Sequence, residues 1–364
     1  MKYKIIPKYI STLIQKKIIL GYKKAKNNFD FKIFNSVSDI ISSETLINNH
    51  NISIGKIKIE ADKPYKQYLI KNLLGVRFYK FFFFFYYYNL SICYPLPKKW
   101  RVLYEKKGIK VNNLICSILW FLFIFFMFFI NIHLSIKLII QIIFDKKFQD
   151  KDCKYYFLNI NQVNIPKKNY TYSDFGIFSF FKTINQDKEI INYQGSIKTS
   201  YKNNFIDIRY KKFFFNINNS FDYFKILKIF TIITFKSFKD LISMRFFNIV
   251  LLYEIFLSHI SQDLDKKQFA NQYFFNQSSY TYRPIWSYIL EKKNIKINFY
   301  FYSINNLVIT KKNIEMQEFI GWKATTWSNA YVFDQFQSNF IKKINPKTKT
   351  IICDYIHDRP TRLK

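Results

Sequence analysis

Apolar residues recur every three or four positions along much of the chain, and lysines break the runs. Near the start, Ile10, Leu13, Ile14 and Ile18 have the spacing of an amphipathic helix. Lys16 and Lys17 fall inside the apolar region and no small-residue cleavage site follows, so Met1–Lys26 does not read as an export signal. It reads as a surface helix packed on its own domain, or one lying on anionic lipid. A helix is expected over Lys32–Ile47 and a strand over Ile52–Ile59, ended by Ala61–Pro64. The run Phe78–Tyr88 is aromatic on every face but far shorter than the ~20 residues a spanning helix needs. It predicts a buried strand or an interfacial aromatic patch.

The strongest physical signal follows. No Asp, Glu, Lys or Arg occurs between Lys110 and Lys137, and Leu114–Ile130 is continuously apolar apart from Cys116 and Ser117. At ~1.5 Å per residue this segment approaches the ~30 Å hydrocarbon core of a bilayer, so it is expected to enter a membrane, with Leu114, Trp120, Phe126 and Phe129 as lipid contacts. Lysines flank it on both sides, which leaves orientation open and suits a re-entrant or surface-lying segment with both flanks in the cytoplasm.

Beyond Asp145 the chain turns polar, and Asn159–Asn169 with Pro166 reads as a connection. Phe221–Phe235 and Leu241–Leu257 have the wide apolar faces of helices. Tyr282–Lys292 then predicts a short helix, Lys296–Tyr302 an alternating aromatic strand, the residues up to Lys343 a helix, and Thr348–Cys353 a last strand. Helix alternating with strand is α/β architecture. Three regions are expected: 1–110 as an N-terminal α/β region, 111–145 as the hydrophobic segment, and 146–364 as an α/β region carrying the chemistry.

Charge narrows the partners. The formal net charge is +33, but almost all of it is lysine. The arginines are Arg77, Arg101, Arg209, Arg245, Arg283, Arg359 and Arg362 alone, which leaves few of the planar forks that read bases. Lys, Asn, Ile, Phe and Tyr are inflated together, so with no nucleic-acid motif beside it the charge reads as the codon bias of an AT-rich genome and not as an RNA or DNA groove, and a lysine surface also suits anionic lipid. Cys93, Cys116, Cys153 and Cys353 are far apart, as are the four histidines, so no metal site or other cofactor is expected. Glycine-rich phosphate loops and G-x-S-x-G elements are absent from the sequence.

Three stretches carry a likeness: Tyr94–Trp120 (YPLPKKWRVLYEKKGIKVNNLICSILW), Arg283–Ser303 (RPIWSYILEKKNIKINFYFYS) and Gly321–Ile341 with its GW, W and YVFDQFQSNFI pieces. In these the chain resembles the polysaccharide biosynthesis proteins of the PFTS-motif type, although no Pro-Phe-Thr-Ser string occurs in it. The resemblance implies a glycosyltransferase-like protein of surface-glycan assembly, O-antigen- or capsule-like, with two Rossmann-like halves of GT-B type. This chain would be the N-terminal, acceptor-side half; the C-terminal donor domain has no counterpart in its residues. The likeness further implies a place on the cytoplasmic face of the inner membrane. Membrane lipid, a lipid-linked glycan acceptor, a nucleotide sugar and other assembly proteins would be its partners, and a non-catalytic scaffold of that machinery is the alternative.

The residues implied are Arg283, Trp286, Tyr302, Trp322, Trp327, Asp334 and Gln335. Sugar transfer needs a base for an acceptor hydroxyl, and Asp334 is the candidate; the other reading of it is a helix N-terminal carboxylate stabilised by the macrodipole. Arg283 is either a clamp for a pyrophosphate or an arginine stacked structurally between Tyr282 and Trp286. Trp322 and Trp327 either stack on sugar rings or sit in the core. Asp354, His357 and Asp358 read as a solvated tail.

Overall fold

A computed structural model of the chain describes residues 41, 44–74, 76–144, 154–160, 189–195, 201–202, 206–217, 220–276, 282–300 and 326–353. Met1–Lys26, most of the Asn159–Asn169 connection, Tyr302, Trp322 and the Asp354–Asp358 cluster lie outside them. Of the helix expected at Lys32–Ile47, Ile41 is helical and Glu44–Ile47 are not.

The strand expected at Ile52–Ile59 is two, β1 (Asn51–Ile54) and β2 (Ile57–Glu60), paired antiparallel with Ile54 opposite Ile57. Gly55 makes the turn at φ +56°, a conformation open to glycine, and this splits one apolar run into a hairpin. Three helices follow: α1 (Asp62–Leu73), α2 (Val76–Tyr87) and α3 (Lys98–Lys106). Helix α2 corrects the expectation of a strand at Phe78–Tyr88. Phe78 and Phe82, one turn apart, are both buried and pack on Tyr104, while Phe81 and Tyr88 face outward. A run aromatic on all faces has no alternation to define a strand, and the turn-by-turn match to a partner decides for helix.

Helix α4 (Asn113–Phe144) extends well past the apolar stretch that announced it. Its buried residues Cys116, Trp120, Ile124, Phe128, Asn131, Ser135, Leu138 and Ile142 form one stripe that packs on α5 (Ser220–Ile242), α6 (Phe246–Val250) and α7 (Leu252–Asp263). Asn131 fixes the register by donating to the Ile249 and Val250 carbonyls at 2.8 and 3.1 Å. The helix expected at Leu241–Leu257 is therefore broken. The chain turns at Met244 (φ +54°) and again at Leu251, and the freed carbonyls of the second break are the ones Asn131 satisfies.

The rest is a mixed sheet of eight strands: β3 (Tyr155–Ile160), β4 (Glu189–Gly195), β5 (Tyr201–Lys202), β6 (Ile206–Tyr210), β7 (Gln272–Asn276), β8 (Lys296–Tyr300), β9 (Asn329–Val332) and β10 (Lys349–Ile352). Only β5 runs antiparallel; the other seven are parallel, in the order β6-β4-β3-β7-β8-β9-β10. Counted along the chain, the parallel strands lie 3-2-1-4-5-6-7, so the order reverses between β3 and β7. Phe157, Tyr193, Tyr273 and Phe299 are fully buried at their centres, as strands covered on both faces require. Helices α8 (Ile285–Lys292) and α9 (Gln335–Ile344) link β7 to β8 and β9 to β10, each packing on the strand that follows it.

Candidate functional site

Where the strand order reverses, a crevice of about 420 Å³ opens at the carboxyl ends of the strands. Leu158 of β3, Gln194 of β4, Phe275 of β7 and the Lys212–Phe215 segment after β6 form its floor. Helix α4 supplies one wall through Leu134, Lys137, Leu138 and Gln141. Opposite stand Tyr253 and Glu254 of α7, Lys71 of α1, and Tyr282, Pro284 and Trp286 at the start of α8. Trp286 lies flat on Phe214, with ring centroids 3.8 Å apart and planes 13° apart, and so braces the floor.

Glu254 is the chemical centre of this crevice. It lies in the first turn of α7, half-buried among aromatic rings, and its Oε2 accepts from the Ile285 N–H at 3.1 Å. Burial raises its pKa from 4.5 to about 7, against the opposing pull of the Lys71 charge, the Ile285 N–H and the Tyr282 hydroxyl. Lys71 reaches over the Tyr282 ring, its Nζ 4.7 Å from the centroid. Desolvation lowers the pKa of that ammonium, and Glu254 partly restores it. Tyr68, Tyr253 and Tyr282 face the same carboxylate and are all held protonated by burial and by its charge. A carboxyl that titrates near neutrality, open to a crevice and within the field of a lysine, is equipped to take up a proton from a bound hydroxyl.

Of the implied site residues that are among the described residues, only Trp286 lines this crevice. Arg283 is 2% exposed: Nε donates to Ser287 Oγ at 3.0 Å, Nη1 to the Thr326 carbonyl at 2.6 Å, and Nη2 pairs with Glu291. Its guanidinium lies over the Tyr288 ring, 3.9 Å from the centroid, so the stacking partner is Tyr288 and not the Tyr282 and Trp286 expected. These contacts tie α8 to the approach to β9. Trp327 is buried between Phe275 and Phe299, a core position. Asp334 is exposed at the N-cap of α9, where Oδ1 accepts from the Gln337 N–H at 2.8 Å. Gln335 is exposed beside it and donates to Asn339 Oδ1 at 2.8 Å. Among the described residues no group of three or more His, Cys, Asp or Glu gathers as a metal site.

The outer face of α4 is apolar from Leu114 to Ile130 and is interrupted beyond that by the exposed His133 and Lys137. Leu114 is 72% exposed, Phe126 60% and Phe129 52%, whereas Trp120 points inward and stacks on Phe123. By length and composition α4 could cross a membrane, yet a third of its most apolar window is buried against protein. The face continues onto α5, where Phe224 and Phe235 are more than 70% exposed and Phe238 meets Phe128 of α4 at 5.1 Å. The sequence of α5 reads as a core helix whose basic edge could lie against lipid; its Phe224 and Phe235 are instead exposed. Sequence reasoning missed Glu254, although a lone carboxylate inside the apolar run Phe246–Ile260 was a signal available to it.

No curated protein and no solved structure matches the chain. Residues 224–354, which carry Glu254, Arg283, Trp286, Trp327 and Asp334, match the family model of the polysaccharide biosynthesis PFTS motif protein, and it is to that family that this segment is similar.

Proposed function

We propose that the chain is a glycosyltransferase-like protein of surface-polysaccharide biosynthesis, held on the cytoplasmic face of the plasma membrane by the outer faces of α4 and α5. The observation that carries this reading is the placement of Glu254 and Lys71 in a crevice walled by the same helix that exposes Leu114, Phe126 and Phe129. The strand order 3-2-1-4-5-6 is that of doubly wound, Rossmann-like sheets, whose ligands bind outside the carboxyl ends of the strands where the order reverses. That is where this crevice lies.

In this reading α4 lies along the membrane with its inner stripe on protein and its outer face in lipid. A lipid-linked glycan acceptor enters from that side, and Glu254 takes the proton of its hydroxyl while the acceptor oxygen attacks the sugar of a nucleotide sugar. The bond from that sugar to the nucleoside diphosphate breaks, and its electrons leave with the diphosphate. The donor would be presented by a second Rossmann-like half, as in GT-B transferases, or by another assembly protein.

A non-catalytic scaffold of the same machinery is the second reading. It is favoured by Arg283 and Asp334 being engaged in holding α8 and α9 in place. Calorimetry of the purified chain with nucleotide sugars and a lipid-linked acceptor separates the two. Heat of binding and product formation support the transferase, and saturable binding of neither ligand supports the scaffold. Release of the chain from membranes by a high-salt wash would count against lipid insertion in both.

A further inference from the structure

The crevice combines clustered cations, an apolar wall and continuity with an exposed helix face. Lys71 comes from α1, Lys137 from α4 and Lys212 from the segment after β6, so three ammonium groups converge from separate elements on one opening. Between them the α4 wall offers Leu134 and Leu138. That wall is continuous with the exposed outer face of the same helix, where Ile130 and Ile140 stand in the open. A site with clustered cations at one end and a greasy track leading away suits a ligand that is anionic at its head and hydrocarbon beyond it.

We propose that this crevice binds a single-chain lipid phosphate or diphosphate, its phosphate held by Lys71, Lys137 and Lys212 and its chain laid along Leu134 and Leu138 toward the outer face of α4. The assignment rests on the membrane-side reading above, because it names the chemical class of acceptor that the crevice would receive. Glu254 sets the affinity. Its carboxylate opposes a phosphate in the same crevice, and protonation removes the opposition. Of the other groups that face it, Tyr68, Tyr253 and Tyr282 keep their charge state through the neutral range, since burial and the Glu254 charge hold the three phenols protonated. Desolvation lowers the pKa of the Lys71 ammonium, and the Glu254 charge opposes that lowering.

The test uses the full chain in detergent, with farnesyl diphosphate as probe and inorganic pyrophosphate and farnesol as its two halves, protein-free micelles being subtracted. Farnesyl diphosphate is expected to bind at least tenfold more tightly than either half. The Lys71→Met, Lys137→Met double variant is expected to lose about tenfold or more, and Lys71→Arg, Lys137→Arg to keep most of the affinity, which separates lost charge from lost folding. Glu254→Gln is expected to bind as the parent does at pH 6 and about fivefold more tightly at pH 8. The ionisation of the probe itself cancels in that ratio. Pyrophosphate binding as tightly as farnesyl diphosphate, a double methionine variant that binds unchanged, or displacement of the probe by equal phosphatidylglycerol would each overturn the proposal. None of these readouts needs sugar transfer, so a chain that binds the probe and transfers nothing leaves this assignment standing while the transferase reading falls.

Discussion

Replacing Glu254 by Gln should stabilise the protein at alkaline pH, the reverse of what removing a structural carboxylate does. The group is half-buried and its pKa is raised from 4.5 to about 7, so the folded chain binds a proton more tightly than the unfolded one. The sign follows directly: between pH 4.5 and 7 the folded state holds more protons, and stability falls as pH rises through that window. At ~1.4 kcal/mol per pH unit the upper bound is about 3 kcal/mol, and a crevice open to water reduces it to about 1–2 kcal/mol. Glutamine keeps an acceptor for the Ile285 N–H, so little is lost in exchange. Denaturant unfolding in detergent, run on parent and Glu254→Gln at pH 5 and pH 8, reads the effect. The variant should match the parent at pH 5 and exceed it by about 1–2 kcal/mol at pH 8. A variant less stable than the parent at pH 8 would refute the reasoning, because the carboxylate would then be holding the fold together.

Other substitutions separate structure from chemistry. Arg283→Ala removes an ion pair to Glu291 and bonds to Ser287 and Thr326 at a buried site, and should cost about 2–4 kcal/mol in the same unfolding assay. Asn131→Leu leaves the Ile249 and Val250 carbonyls without their donor in a packed interior, an expected loss of about 2–3 kcal/mol that thermal unfolding will register. Asp334→Ala loses only an exposed N-cap, about 1 kcal/mol, and should leave sugar transfer within a few-fold of the parent. A loss of 10²-fold or more there would instead make Asp334 the base.

Much of the fold can be read in the chain where local pattern and tertiary context agree. Ile285–Lys292 and Lys296–Tyr300 form the helix and strand that their spacing announces, and α9 ends one residue from the expected Lys343. The long apolar stretch is a helix, but periodicity could not give its length or its inward stripe, because aromatic and aliphatic residues surround it. The hairpin at Gly55 and the break at Met244 between α5 and α6 depend on single backbone conformations that apolar spacing does not encode. The crevice was hidden for a different reason. Glu254, Lys71 and Lys137 are separated by scores of residues, and only the reversal of strand order between β3 and β7 brings a wall, a floor and a carboxylate together. Arg283 and Trp327, conspicuous in the sequence for their residue type, are used by the fold itself.

The most direct test of the account asks whether the outer faces of α4 and α5 touch hydrocarbon. With the accessible native cysteines replaced by serine, spin labels are placed one at a time at Phe126, Phe235 and the exposed Lys267 in protein reconstituted into anionic vesicles. Labels at positions 126 and 235 should collide freely with oxygen and be shielded from a water-soluble nickel chelate, and the label at 267 should show the reverse. Equal nickel access at all three positions would place both helices in water and contradict the account.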